Sequence, residues 1–169
     1  DWINILNSGD VYADNNSLSN AISIKSSGID IIYGDSIERD SKKSTIKYAS
    51  EDVSLLEMYP IYRHGSSLVR AEVHKSHLFD LKRKDLNYAL DWEMIHRLYI
   101  EGYVFKKTPY IIESYMLDGV SNHQILNRWY NYKITSNGHF DLEKALLCFK
   151  SIFLYCLCNN TICRWMKSF

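Results

Sequence analysis

The chain has 169 residues, with 20 basic and 20 acidic side chains and no net formal charge when His is neutral. That balance excludes a nucleic-acid binder working through bulk positive charge, and it excludes a polybasic membrane-surface protein. An apolar fraction of 46% beside 24% charged residues excludes a disordered chain, and 7 Gly with 2 Pro exclude collagen-like or low-complexity architecture.

The length is that of one domain. Trp2 to Leu6 reads as a short buried strand, broken by the turn residues Asn7-Ser8-Gly9-Asp10. Asp14 to Ser17 offers caps for a helix carrying Leu18, Ala21 and Ile22, with Gly28 as its C-terminal glycine. Ile29 to Tyr33 is a β-branched strand ended by Gly34-Asp35. The polar turn Ser41 to Ser44 leads into a partner strand from Thr45 to Ala49. Ser50 can cap a short helix reaching Met58, and Pro60 stops it. Ser66 to Val69 is a strand, Ala71 to Phe79 a helix and Asp80 to Asp85 a charged connection.

Leu90, Met94, Ile95, Leu98 and Tyr99 then recur at helical spacing until Gly102. Tyr103 to Phe105 and Tyr110 to Ser114 read as two strands on either side of Pro109. Ser121 can cap a helix to about Ile134, and Asn137-Gly138 breaks it. The last helix carries Leu142, Ala145, Leu146, Phe149, Ile152, Phe153 and Cys156 on one stripe. Alternating strands and helices predict an α/β domain with a mixed sheet over 1–134 and a helical appendage over 135–169.

All four cysteines lie at Cys148, Cys156, Cys158 and Cys163. Their clustering is unlike a disulfide scaffold, and one residue between Cys156 and Cys158 is too few for the usual zinc spacing. Reduced, buried thiols and the lack of a signal-peptide pattern point to the cytosol. The apolar run Ala145 to Cys158 is shorter than the ~20 residues a spanning helix needs. Its stripe, with Lys150, Arg164 and Lys167 nearby, suits either packing against the domain or a second subunit, or contact with the inner face of a membrane.

Four segments carry side chains suited to chemistry. Leu6-Asn7-Ser8-Gly9-Asp10 delivers a carboxylate at a glycine turn after a strand, where open α/β sheets bind ligands. An oxygen ligand there suits Mg²⁺ or Mn²⁺, which need only one or two carboxylates when a diphosphate supplies the rest. Leu90-Asp91-Trp92-Glu93 sets an acid in the first turn of a helix beside an aromatic ring, where it can act as a base. Pro60-Ile61-Tyr62-Arg63-His64-Gly65-Ser66-Ser67 brings a cation, an imidazole and two hydroxyls before a strand, where they could line a polar cleft. Asp118-Gly119-Val120-Ser121, followed by Gln124 and Arg128-Trp129, joins a glycine turn to an arginine that can meet a phosphate. Each also has an ordinary reading, as a surface turn, a helix cap or a polar loop.

The order of these segments resembles the second half of a family 2 glycosyltransferase of GT-A fold, in the bacterial branch that builds surface polysaccharides. In that branch a Leu-Asn-Ser/Ala-Gly-Asp sequence stands for the DxD motif, matched by Leu6 to Asp10. Asp-Ile-Ile-Tyr-Gly-Asp follows at Asp30 to Asp35, a His-centred segment at His64 to Arg70, Asp-Trp-Glu at Asp91 to Glu93, and Gly-Val-Ser at Gly119 to Ser121.

The resemblance implies an inverting transfer from a nucleotide-sugar to a saccharide or lipid-linked acceptor. Asp10 would hold the divalent cation, with Asn7 and Gly9 on the donor side. Asp91 would be the base, and His64, Trp92 and Glu93 would face the acceptor. Arg128 would touch a phosphate. Gln124 with Arg128-Trp129 is similar to the Gln-x-x-Arg-Trp motif of processive members, with one residue too many. The resemblance also implies that the nucleotide-binding half of the domain would precede Asp1, so that the chain is a piece of a longer transferase. A different class remains open beside it. The 13 Tyr and 4 Trp could stack on sugar rings in a non-catalytic carbohydrate-binding or assembly module. A self-contained hydrolase ranks last, because no Gly-x-Ser-x-Gly element occurs.

Overall fold

A computed structural model describes residues 1–40, 43–117 and 124–158. Within them six strands form one mixed sheet: β1 (Trp2–Ile3), β2 (Val11–Tyr12), β3 (Ile31–Arg39), β4 (Ser44–Lys47), β5 (Ser67–Arg70) and β6 (Phe105–Met116). Five of them run in the order β1-β5-β3-β6-β2, and β4 pairs with the far half of β3. Only β3 and β6 are parallel; the other pairs are antiparallel. The helices are α1 (Ser17–Ile22), α2 (Ala71–Ser76), α3 (Leu90–Ile100), α4 (Gln124–Thr135) and α5 (Leu142–Cys158). The chain is therefore an α/β protein with a mixed sheet and flanking helices.

Alternation along β3 builds the two layers. Ile32 joins Ala21, Ile29, Leu68 and Ile112, under α1. Ile31 and Tyr33 point the other way, into the larger core with Leu56, Tyr62, Met94, Ile95 and Leu98, under α3.

Two sequence expectations change in the sheet, for one physical reason. β3 does not stop at Gly34-Asp35 but runs through to Arg39. β6 is one strand and not two, with Pro109 inside it. The register runs from Tyr33↔Lys107 to Asp35↔Ile111, so Thr108, Pro109 and Tyr110 bulge opposite the single residue Gly34. Pro109 thus needs no ladder donor there. The bulge folds close over β3: a Cβ on Gly34 would lie 2.5 Å from the Tyr110 carbonyl oxygen and 2.8 Å from Thr108 Cγ2. Asp35, buried next to it, accepts the Ala49 N–H at 2.8 Å and pairs with Lys107 at 3.1 Å. A glycine and an acid that read as a strand end are instead the fittings of a bulge.

Smaller differences follow the caps. α1 ends at Ser23, and Gly28, beyond it, lacks a left-handed conformation. The segment after Ser50 is a 3₁₀ turn, Val53–Glu57, capped by Asp52, whose side chain accepts from the Ser54 N–H. The stop after α4 is as expected, with Asn137 (φ 49°) and Gly138 (φ 75°) both left-handed. α5 lies against α4 through Ala145 and Cys148, which are buried. The rest of its stripe turns outward: Leu142, Leu146, Phe149 and Phe153 are each more than half exposed. No helix among the described residues is long and apolar enough to cross a membrane. Cys148, Cys156 and Cys158 are free thiols, and Cys163 lies outside the described residues.

Candidate functional site

One turn organises the site. The 3₁₀ turn His64–Ser66 leads into β5, and Asn4 pins it by donating to the carbonyls of Gly65 at 2.8 Å and Ser67 at 2.7 Å. Arg63, just before this turn, reaches two carboxyl groups, and His64, within it, meets a ring.

On the Arg63 side stands Asp10. The Asn7–Asp10 segment closes through the Asp10 N–H to the Asn7 carbonyl at 3.1 Å, with Gly9 at φ +90°, where a side chain would strain the backbone. β2 follows at once and pairs Val11 with Ser114 and Tyr12 with Glu113. Carrying that register back one residue sets Asp10 across from Tyr115 and diagonal to Glu113, on one face. The Met116 N–H donates to Asp10 Oδ1 at 3.4 Å. Arg63 Nη2 lies 3.9 Å from Asp10 Oδ2, and Arg63 Nε lies 3.3 Å from Glu113 Oε2. The guanidinium carbon sits 3.5 Å from the centre of the Tyr115 ring, a cation–π contact. The Ser66 hydroxyl donates to Glu113 Oε2 at 3.2 Å, while Oε1 is buried with no partner. Behind them Tyr115 donates to Glu38 at 2.8 Å, and Glu38 pairs with Lys47 at 3.2 Å.

Glu113 is wholly buried. Its pKa is pushed up to about 7: burial drives it upward, Arg63 pulls it back, and the charge and contact of Asp10 raise it again. Asn7 and Gly9, in the same turn as Asp10, are exposed.

On the His64 side stands Asp91, half-buried in the first turn of α3, where its Oδ1 accepts the Trp92 N–H at 2.7 Å. His64 meets the edge of Phe79 at 5.7 Å, and His74 meets the same ring at 6.1 Å. Burial lowers the His64 pKa, the Asp91 charge opposes that, and His74 adds to it. Tyr62, buried next to them, stacks on Tyr33 at 4.6 Å. Burial raises its pKa most, and the Tyr33 and Asp91 charges raise it further. The two neighbours of Asp91 have other engagements. Trp92 is in the core, against His96 at 5.6 Å, and Glu93 pairs with Arg97 at 3.2 Å one helical turn on.

Arg128 faces α5, its guanidinium carbon 4.8 Å from the centre of the Tyr155 ring. It helps line a groove of about 490 Å³ with Tyr59, Asn131, Tyr132 and Lys144. Asp118 to Ser121 lies outside the described residues, as does the side chain of Gln124.

Sequence reasoning singled out Asp10, Arg63 and His64 but missed Glu113 and Tyr115. The available signal was an acid inside an apolar strand, Tyr110-Ile111-Ile112-Glu113-Ser114-Tyr115. Among the described residues no group of three or more His, Cys, Asp or Glu side chains is placed to hold a metal ion. A pair suffices for Mg²⁺ or Mn²⁺ bound with a diphosphate, and a carboxyl pair with one unpartnered oxygen fits a hard cation.

Neither a known protein family nor any curated protein or solved structure matches the chain.

Proposed function

We propose that the chain is the acceptor-side part of an inverting, nucleotide-sugar-dependent glycosyltransferase of GT-A fold, acting in cell-surface polysaccharide biosynthesis. One observation supports this reading most. A single turn brings Arg63 within 3.9 Å of Asp10, while the next residue, His64, feels the charge of Asp91 at the start of α3, so a carboxyl suited to a cation and a potential base are both linked to that turn. The order of the sequence segments supplies the rest.

In this reading Asp91 takes the proton of the acceptor hydroxyl as that oxygen attacks the anomeric carbon of the donor sugar. The bond from that carbon to the diphosphate breaks, and its electron pair leaves with the nucleoside diphosphate. The half-buried imidazole of His64, its pKa lowered chiefly by burial, would border the acceptor. Asp10, with Asn7 and Gly9 shaping its turn, would hold the divalent ion, Mg²⁺ or Mn²⁺. When bound, that ion neutralises charge on the leaving diphosphate. Trp92 and Glu93 act from behind the acceptor side by fixing the first turn of α3. Partners are then a nucleotide-sugar donor and a saccharide or lipid-linked acceptor. The location is cytoplasmic, and the open leucine and phenylalanine face of α5 is where a membrane surface or a second copy would rest.

The test is sugar-nucleotide turnover by the whole protein to which these residues belong, with Asp91→Asn beside it. A loss of about 10²- to 10⁴-fold is expected from removing a general base. Undiminished turnover removes Asp91 from that role. The groove between α4 and α5 favours one second reading. Asn131 and the phenols of Tyr59 and Tyr132 line it, groups that bond to and stack on sugar rings. A non-catalytic saccharide-binding module would bind oligosaccharides there with neither nucleotide nor metal, and calorimetry with an oligosaccharide panel separates the two.

A further inference from the structure

The turn that ends in Asp10 is short of acid. Asn7 and Gly9 stand where a two-acid motif would place a carboxylate, so the turn itself offers one charged oxygen ligand. Strand pairing supplies another from far along the chain. β2 lies antiparallel to β6, and its register sets the Glu113 side chain on the face that Asp10 occupies.

Glu113 is a buried acid with only one of its two oxygens engaged. It is 0% exposed, in the middle of the sheet. Oε2 is engaged by Arg63 at 3.3 Å and Ser66 at 3.2 Å, but Oε1 is buried without any donor. Its carboxyl also adjoins that of Asp10. The cation that joins the two acids is Arg63, 3.9 Å from Asp10 Oδ2 and 3.3 Å from Glu113 Oε2. A buried charge pair missing part of its hydrogen bonding is a poor stabilising device. The fold nevertheless accommodates the acid: Gly65 leaves the space, since a Cβ there would lie 2.2 Å from Glu113 Oε1. Arg63, whose side chain is 33% exposed, lies over both acids and on the Tyr115 ring.

We infer that Glu113 is the second carboxylate of a divalent-cation site whose first is Asp10, standing in for the acid the Asn7–Asp10 turn lacks. Two carboxylates leave the remaining positions of an octahedral ion to water and to a diphosphate. Arg63 is the resident cation that gives way. The inference rests on the reading of Asp10 in the proposed function and extends it to a residue on β6.

The test uses Mn²⁺ alone with the 169-residue chain. In the wild-type chain, electron paramagnetic resonance is expected to show one bound Mn²⁺. Paramagnetic broadening is expected first at the amide signals of Asp10, Ser66 and Glu113. Glu113→Gln preserves shape and can still accept from Arg63 and Ser66, so its fold should survive. It is expected to weaken Mn²⁺ binding at least tenfold, as is Asp10→Asn. Mn²⁺ bound equally well by Glu113→Gln, broadening centred elsewhere, or no Mn²⁺ binding by the wild-type chain each overturns the inference. The wild-type broadening pattern decides the matter even if a variant does not fold. Mn²⁺ binding as expected without sugar-nucleotide turnover by the whole protein overturns the transferase reading and leaves the cation site standing. Turnover with unchanged Mn²⁺ affinity in Glu113→Gln does the reverse.

Discussion

The two flanks of the His64–Ser66 turn are built from opposite physics. On the Arg63 flank, charges are buried and held by other charges: one guanidinium faces two carboxyl groups and lies on a tyrosine ring. On the His64 flank, rings replace charges: His64 and His74 both meet the ring of Phe79, and burial lowers the His64 pKa against the opposing charge of Asp91. One flank sets charge against charge, the other ring against ring. The difference teaches where sensitivity should lie. A charge pocket fails when one partner is lost, because the remainder are left unpaired, whereas a ring cluster loses only the packing that is removed.

Asp91→Asn should have the largest effect, on turnover and not on folding, because Asp91 is half-buried and its oxygen engages its own helix. Arg63→Ala comes next. It removes the only described cation that touches both Asp10 and Glu113, and a cost of about 2–4 kcal/mol is expected from breaking a largely buried pair. His64→Ala, on the ring side, should cost about 1–2 kcal/mol, in line with lost packing. Urea denaturation of the two variants checks the contrast. Equal costs would mean that the flanks are not energetically distinct.

Gly65→Ala probes the wedge between the flanks. The new methyl group would lie 2.2 Å from Glu113 Oε1, so one side must move. Overpacking of this kind costs about 1–3 kcal/mol. Combining it with Glu113→Ala should recover part of the loss, since the colliding group is gone. A double-mutant cycle that closes additively would show that the two residues do not meet.

These contrasts also show what the sequence could and could not display. Asp10 was legible because Asn7, Ser8, Gly9 and Asp10 are contiguous and each is a turn former. Asp91 was legible because a helical repeat of Leu90, Met94 and Leu98 fixes where its helix begins. Glu113 was not, because only the pairing of β2 with β6 brings it to Asp10, and register between strands so distant in sequence leaves no local signal. Gly34 and Pro109 misled for a related reason. Each breaks a strand when read alone, and together they make a bulge that keeps both strands running. The α5 stripe was read correctly as apolar, but periodicity says which side is greasy and not what covers it, and most of that side is open.

The last prediction asks how dry the ring flank becomes further along α3. His96 lies one turn beyond Trp92, is 8% exposed, and has Nε2 buried without a partner. Its pKa is lowered to about 4, by burial first and then by Lys144 of α5, while a hydrogen bond with the Glu57 main chain and the Glu57 charge oppose the shift. Between pH 6.5 and about 4 the unfolded chain therefore binds a proton that the folded chain does not. Stability should fall as pH falls through that window, by about 1–3 kcal/mol from this residue, and the fall should level off below it. His96→Leu should flatten this limb of a plot of denaturation midpoint against pH. Lys144→Met should shrink it only slightly, because burial outweighs the lysine charge. If Lys144→Met removed the limb instead, the cause would be charge and not dryness, and the resemblance between the His64 and His96 sites would end.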